Sequence, residues 1–184
     1  QVFYAVRAPK SREARRLRER VDNIARGAAL MTGTTVDIET ACVYDSILPN
    51  PVLDSLVLKY LRTYAPSFSQ AEKEYAKAFL PFGNLPDTAV PIDEIPDLSP
   101  TRKTGISTDV GNVSQLLPCS AFMVCCYANG SPLHHWTVTA QGKSSLAHRG
   151  MFTAGKILAS CVLELLTDPM LLTEAKKAFE EAER

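Results

Sequence analysis

Histidine is scarce in this chain, with three in 184 residues, and none stands in an H-x-D triplet. That scarcity excludes a self-sufficient multi-histidine metal centre, since a catalytic site of two ions shares about five ligands. No C-x-x-C pair is present, which removes zinc ribbons and thiol–disulfide motifs. The five cysteines, Cys42, Cys119, Cys125, Cys126 and Cys161, are odd in number and scattered. They read as buried free thiols of a reducing compartment, so the expected location is cytoplasmic. There is no excess of either charge, 20 basic residues meeting 20 acidic ones, hence no general attraction to nucleic acid or an anionic membrane. No apolar run approaches the ~20 residues that cross a bilayer, and no secretory pattern precedes the strand-like Val2–Val6. A first residue of Gln1 rather than Met suggests a fragment. P-x-x-P is absent too, so the evenly spaced Pro81, Pro86, Pro91, Pro96 and Pro100 read as a rigid surface loop.

What is present is the patterning of one good core, or a core with a small appendage. Val2, Tyr4 and Val6 alternate with Phe3, Ala5 and Arg7, predicting a strand, and Pro9 ends it. Ser11 is placed to cap a helix with the stripe Ala14, Leu17, Val21, Ile24, Ala25 and Ala28, stopped by Gly33. Val36–Tyr44 alternates again and predicts a strand with one wet face. Asn50-Pro51 opens a helix to about Tyr64, and Ser69 with Glu72 forms a capping box. Ala121–Ala128 is apolar on both faces, as a strand buried between helix layers would be. Helices follow from about Ser145 to Leu166 and from Asp168-Pro169 onward. The order reads as α/β.

Chemistry-bearing residues cluster in few places. His134 and His135 follow the turn Gly130-Ser131-Pro132-Leu133, and a rigid turn fixes an imidazole as a metal requires. Adjacent residues of an extended segment face opposite ways, so one of the two would face a given ion, and the residues alone leave open whether either does. Asp109 follows Ser107-Thr108, where a short helix with a hydroxyl cap and a dipole-stabilising carboxylate is the simpler reading. His148 opens a helix and could reach a substrate carboxylate, or simply pack. Arg12, Arg15, Arg16, Arg18, Arg20 and Arg26 lie largely off the apolar stripe and read as a solvated face partly neutralised by Glu13, Glu19 and Asp22. The remaining use for them, a nucleic-acid contact, lacks interleaved aromatics or a second basic patch.

Gly130-Ser131-Pro132-Leu133-His134, Ser107-Thr108-Asp109-Val110-Gly111-Asn112-Val113-Ser114 and Ala147-His148-Arg149-Gly150-Met151 together resemble the C-terminal part of the di-metal amidohydrolases. These include aminoacylases, carboxypeptidases, hippurate hydrolases and, as the nearest branch, aminobenzoyl-glutamate hydrolases. Arg149 stands where that branch has a lysine. The likeness extends from Tyr4–Lys10 through Gly27–Thr34 to Asp168–Leu172.

The resemblance implies an α/β catalytic domain, part of a helix-covered mixed sheet, for residues 49–184. Residues 1–48 would be half of a ferredoxin-like inserted lid and dimerisation domain. It further implies that His134, and not His135, ligates one of two zinc or manganese ions. Asp109 and His148 would line the site. The family's H-x-D, its other His and its Glu-Glu pair would lie upstream of residue 1, since Asp93-Glu94 and Glu180-Glu181 are badly placed. The isolated chain is then expected to be inactive. The intact enzyme, a homo-oligomer without nucleic-acid or membrane partners, would hydrolyse the amide of an N-acyl amino acid, aminobenzoyl amino acid or dipeptide-like substrate. The alternative is a non-catalytic binding or subunit module derived from the same fold.

Overall fold

The computed structural model describes residues 1–83 and 108–182. Most of the proline-spaced stretch, with Asp93-Glu94 and Ser107, lies outside the described residues. The helices are α1 (Ser11–Thr32), α2 (Pro51–Thr63), α3 (Gln70–Lys77), α4 (Val110–Ser114), α5 (Trp136–Gln141), α6 (Ser145–Thr167) and α7 (Pro169–Glu181). A single 3-10 turn spans Leu80–Phe82.

Among the described residues there is no strand, which overturns the α/β mixed sheet and the ferredoxin-like half-domain. The three segments with strand patterning, 2–7, 36–44 and 121–128, run without ladder partners. Alternation dictates which way side chains point. A strand also needs a neighbour to take its backbone N–H and C=O groups, and that is a tertiary matter.

The described chain divides into two compact units, one holding Gln1–Pro49 and residues 108–119, the other 50–83 and 120–181. In the second unit the local signals act as predicted. Asn50 accepts from the Leu53 N–H at 3.1 Å ahead of Pro51, and its amide donates to the Ala175 carbonyl at 2.8 Å, tying α2 to α7. Ser69 and Glu72 close a reciprocal capping box on α3. Asp168 accepts from the N–H groups of Met170 and Leu171 at the start of α7.

The core of this unit forms around α6. Leu56, Ile157 and Cys161 pack with Tyr60, Phe122, Val124 and Leu171, while Leu146 packs with Phe68, Ala76 and Ala128. The 121–128 run enters both clusters, Phe122 and Val124 in one and Cys125 and Ala128 in the other, with no sheet between them, but Met123 is 75% exposed and its face is not covered as a strand between helix layers would be. Gly150 makes that possible. A Cβ there would collide with the Cys125 carbonyl oxygen and come within 2.6 Å of Cys126 Sγ, so the backbone of the run lies directly against the helix. At the edge of the cluster, Glu164 accepts from Lys59 at 2.6 and 2.8 Å and from the Tyr60 hydroxyl, and these partners hold its carboxyl below the usual range.

By length and composition alone α6 would pass for a membrane-spanning helix, contrary to the expectation from apolar runs. Six of its residues are buried, and it packs against α2 and α7. Phe152, Leu158, Val162 and Leu166, apolar residues of the same helix, are exposed.

The first unit is organised differently. Gly33, at φ 65°, ends α1 as predicted, and the Thr34 N–H returns to the Ala29 carbonyl at 2.9 Å. Ser11 does not cap the helix. The N-cap position is Lys10, and Ser11 instead exchanges hydrogen bonds with Ser46, whose N–H donates to Ser11 Oγ at 2.7 Å. No residue of α1 is buried, and Ile24 of the predicted stripe is 69% exposed. Arg15 pairs with Asp45, and Arg18 with Asp22 at 3.7 Å. Cys42 is exposed, against the expectation of buried thiols. The other four are half-buried or buried, and burial pushes the Cys126 and Cys161 thiols up.

Candidate functional site

The turn that carries the histidines is built from the inside by Gln141, a fully buried side chain. Its carbonyl oxygen accepts from the Ala128 N–H at 2.7 Å, and its amide donates to Ser131 Oγ at 3.0 Å and to the Thr137 carbonyl at 2.9 Å. Three points on the loop 128–137 are thus pinned to one amide. Gly130 turns the chain with φ 82°, and the Ser131 N–H closes back on the Ala128 carbonyl at 3.1 Å.

His135 is used up structurally. It is the N-cap of α5, its Nδ1 accepting from the Thr137 N–H and lying 3.0 Å from Thr137 Oγ1. His134 is the opposite case. It is exposed, has no hydrogen-bond or ion-pair partner, and at φ 60° is the one non-glycine residue in the left-handed region among the described residues. That backbone state costs about 1 kcal/mol and is held by the surrounding hydrogen bonds.

Beside this turn sits an aromatic group. Trp136 meets Phe82 edge to face with ring centroids 5.0 Å apart, and the His135 ring lies 5.6 Å from Trp136.

Among the described residues no group of three or more His, Cys, Asp or Glu side chains is assembled as a metal cage. The donor set therefore does not fit a two-ion centre built by these residues alone. They offer isolated imidazoles, of which His134 is the one on the pinned turn not used as a helix cap.

The Ala147–Met151 segment turns out to be mainly architectural. Ala147 and Gly150 are buried, and Arg149 Nε donates to Glu72 Oε1 at 3.1 Å. Glu72 is a buried carboxylate. Hydrogen bonding from the Ser69 backbone, then from Arg149, holds it down at about 2. His148 is exposed and lines an open depression of about 600 Å³ together with Tyr64, Ser67, Arg149, Thr153 and Lys156. Among the described residues its walls carry Lys156 and Arg149, the latter paired with Glu72, and no carboxylate.

Asp109 belongs to the other unit, immediately before α4. Thr108 Oγ1 accepts from the Val110 N–H at 3.3 Å, and Asp109 itself makes no capping bond. The rest of that motif holds residues 43–48. Asn112 accepts from the Asp45 N–H at 2.7 Å and donates to the Val43 carbonyl at 3.0 Å. Ser114 Oγ accepts from the Leu48 N–H at 2.9 Å, and Gln115 donates to the Ser46 carbonyl at 2.9 Å. Side chains here do what a neighbouring strand would do. Gln141, Asn112 and Gln115 carry no signal in sequence, because their partners are backbone groups far along the chain. Glu72 was visible as a cap, but its pairing with Arg149 was not.

No family model matches the chain, and no solved structure matches it significantly. Two curated relatives do. One is a subunit of the p-aminobenzoyl-glutamate hydrolase of Escherichia coli (strain K12), 30% identical over 207 aligned positions that take in 98% of this chain and 43% of the relative. The other is the Xaa-Arg dipeptidase of Mus musculus, 27% identical over 181 positions, 97% of this chain and 36% of the relative. The chain spans less than half the length of either. It is thus a homologue of part of these two hydrolases, as its resemblance to the C-terminal part of the amidohydrolases implies.

Proposed function

We propose that this chain is part of a hydrolase that cleaves the amide joining an acyl or aminobenzoyl group to an amino acid, and that His134 is its contribution to a divalent-metal site. The observation that carries this is His134 itself. It is an exposed imidazole without a partner among the described residues, in a strained backbone state, on a turn pinned by a buried amide, in a chain whose relatives are named as hydrolases of such bonds. Backbone strain of this kind clusters at functional sites, where it holds a group ready for a ligand. The cation would be zinc or manganese, with its other donors outside the described residues. The chemistry it supplies when bound is polarisation of the amide carbonyl and of water.

His148, with Lys156 beside it and Arg149 already paired with Glu72, offers a polar place for the carboxylate of the amino-acid half. Asp109 takes no part in this reading.

The test is release of p-aminobenzoate from p-aminobenzoyl-glutamate by the intact protein that carries this chain, with metal content measured in parallel. His134→Asn, which tolerates the left-handed backbone, is expected to lose activity by about 100-fold or more together with bound metal. The 184-residue chain alone is expected to be inactive and to bind the ions weakly. Undiminished activity in His134→Asn would remove His134 from the site. An intact protein that binds such amides without cleaving them would point to the binding-module alternative.

A further inference from the structure

We propose that Trp136 and Phe82 form the receptor for the aromatic acyl ring of the substrate, and so set a preference for benzoyl-type over aliphatic N-acyl amino acids; this rests on the hydrolase reading above. The two rings meet at 71° with centroids 5.0 Å apart, yet Phe82 remains 48% and Trp136 55% exposed. An edge-to-face contact occupies one edge of one ring and one face of the other, leaving aromatic surface free for a further ring. Tryptophan is a frequent anchor in binding interfaces.

Location argues for the same use. Trp136 is the first residue of α5, two positions after His134, and its neighbour His135 is fixed as the helix cap. Phe82 closes the 3-10 turn, and the next residue, Gly83, presses against the histidine turn: a Cβ at Gly83 would stand 2.7 Å from the Gly130 carbonyl oxygen. Both rings therefore ride on the same rigid support as His134. A planar ring lying on Trp136 places its acyl carbon near the turn, whereas an acetyl or other small aliphatic group has nothing to stack upon. The ligand class is a neutral, flat aromatic amide whose amino-acid half carries the negative charge.

The chain contains a single tryptophan, so its emission reports on this surface alone. The full chain is titrated with p-aminobenzoyl-glutamate, benzoyl-glutamate and N-acetyl-glutamate, excited at the red edge of tryptophan absorption and corrected for ligand absorbance. Saturable quenching by the two aromatic amides and none by the acetyl compound is the expected result. Phe82→Leu, which keeps the reporter, should weaken that binding about fivefold. Trp136→Leu should abolish the aromatic preference seen by saturation-transfer NMR, while Trp136→Phe retains it. Equal responses to aromatic and acetyl ligands, or none to either, would overturn the proposal. His134→Asn separates the two readings. Quenching that survives this substitution supports the platform whether or not hydrolysis is lost, and hydrolysis unaffected by it sinks only the metal-ligand reading. Quenching lost with His134 would show that the imidazole rather than the ring pair holds the ligand, and defeat the platform.

Discussion

The two units of this chain are held together by different forces. In residues 50–83 and 120–181, α6 buries six residues, of which Leu146, Ile157 and Cys161 join two apolar clusters, and the caps and ion pairs only refine what burial already stabilises. In residues 1–49 and 108–119, the long helix α1 buries nothing. What is organised there depends on hydroxyl and amide side chains that grip residues 43–48. A fully buried aliphatic side chain contributes roughly 1.5–3 kcal/mol. A typical hydrogen bond nets about 1 kcal/mol, less where water competes. The second unit therefore has by far the larger stabilisation per residue, and it is the unit that carries the His134 turn.

The sharpest way to break this contrast is to wedge the second core. Gly150→Val drives a branched side chain into the Cys125 carbonyl, and a loss of about 3 kcal/mol is expected in urea unfolding. Near-normal stability would mean that the 121–128 run does not lie against α6.

A smaller effect is expected at the buried carboxylate. Replacing Glu72 by Gln removes the charged partner of Arg149 and of the Ser69 N–H, which should cost about 2 kcal/mol at neutral pH. Its folded-state value lies near 2, below the ordinary 4.5. The stabilisation is accordingly complete above about 4.5 and disappears as the pH falls toward about 2. Wild type and Glu72→Gln should converge in stability over that acidic window. Parallel curves down to the acid limit would argue against the pairing.

The smallest effects belong to the first unit. Asn112→Ala removes two hydrogen bonds to a partly solvated backbone, for which about 1 kcal/mol is expected, read as faster proteolysis within residues 43–48. Ile24→Ser, on the exposed α1, should change stability by less than about 0.5 kcal/mol. A large loss at Ile24 would show that α1 is covered in solution, and the contrast between the units would shrink.

How much of this could be read beforehand depends on the range of each interaction. Asn50-Pro51, Ser69 with Glu72, Gly33 and Asp168-Pro169 all act within one helical turn, so the termini they mark are where they were expected. Ser11 failed as a cap because Ser46, distant in sequence, competes for the same hydroxyl. The histidine turn was visible from Gly130, Pro132 and two histidines. Which histidine is committed to capping α5 and which is left free was not, because that depends on Thr137 and on where Gln141 lies.

Sequence by itself determined the helices with strong local ends, the exposed arginine face and the likeness to amidohydrolases. Tertiary structure alone decided that the alternating segments form no ladder among the described residues, that Gly150 brings a backbone against α6, and that Phe82 meets Trp136. The physical reason is the same in each case. Periodicity and capping are properties of neighbours along the chain, whereas a ladder partner, a close approach or a ring pair is chosen by groups that only folding brings together.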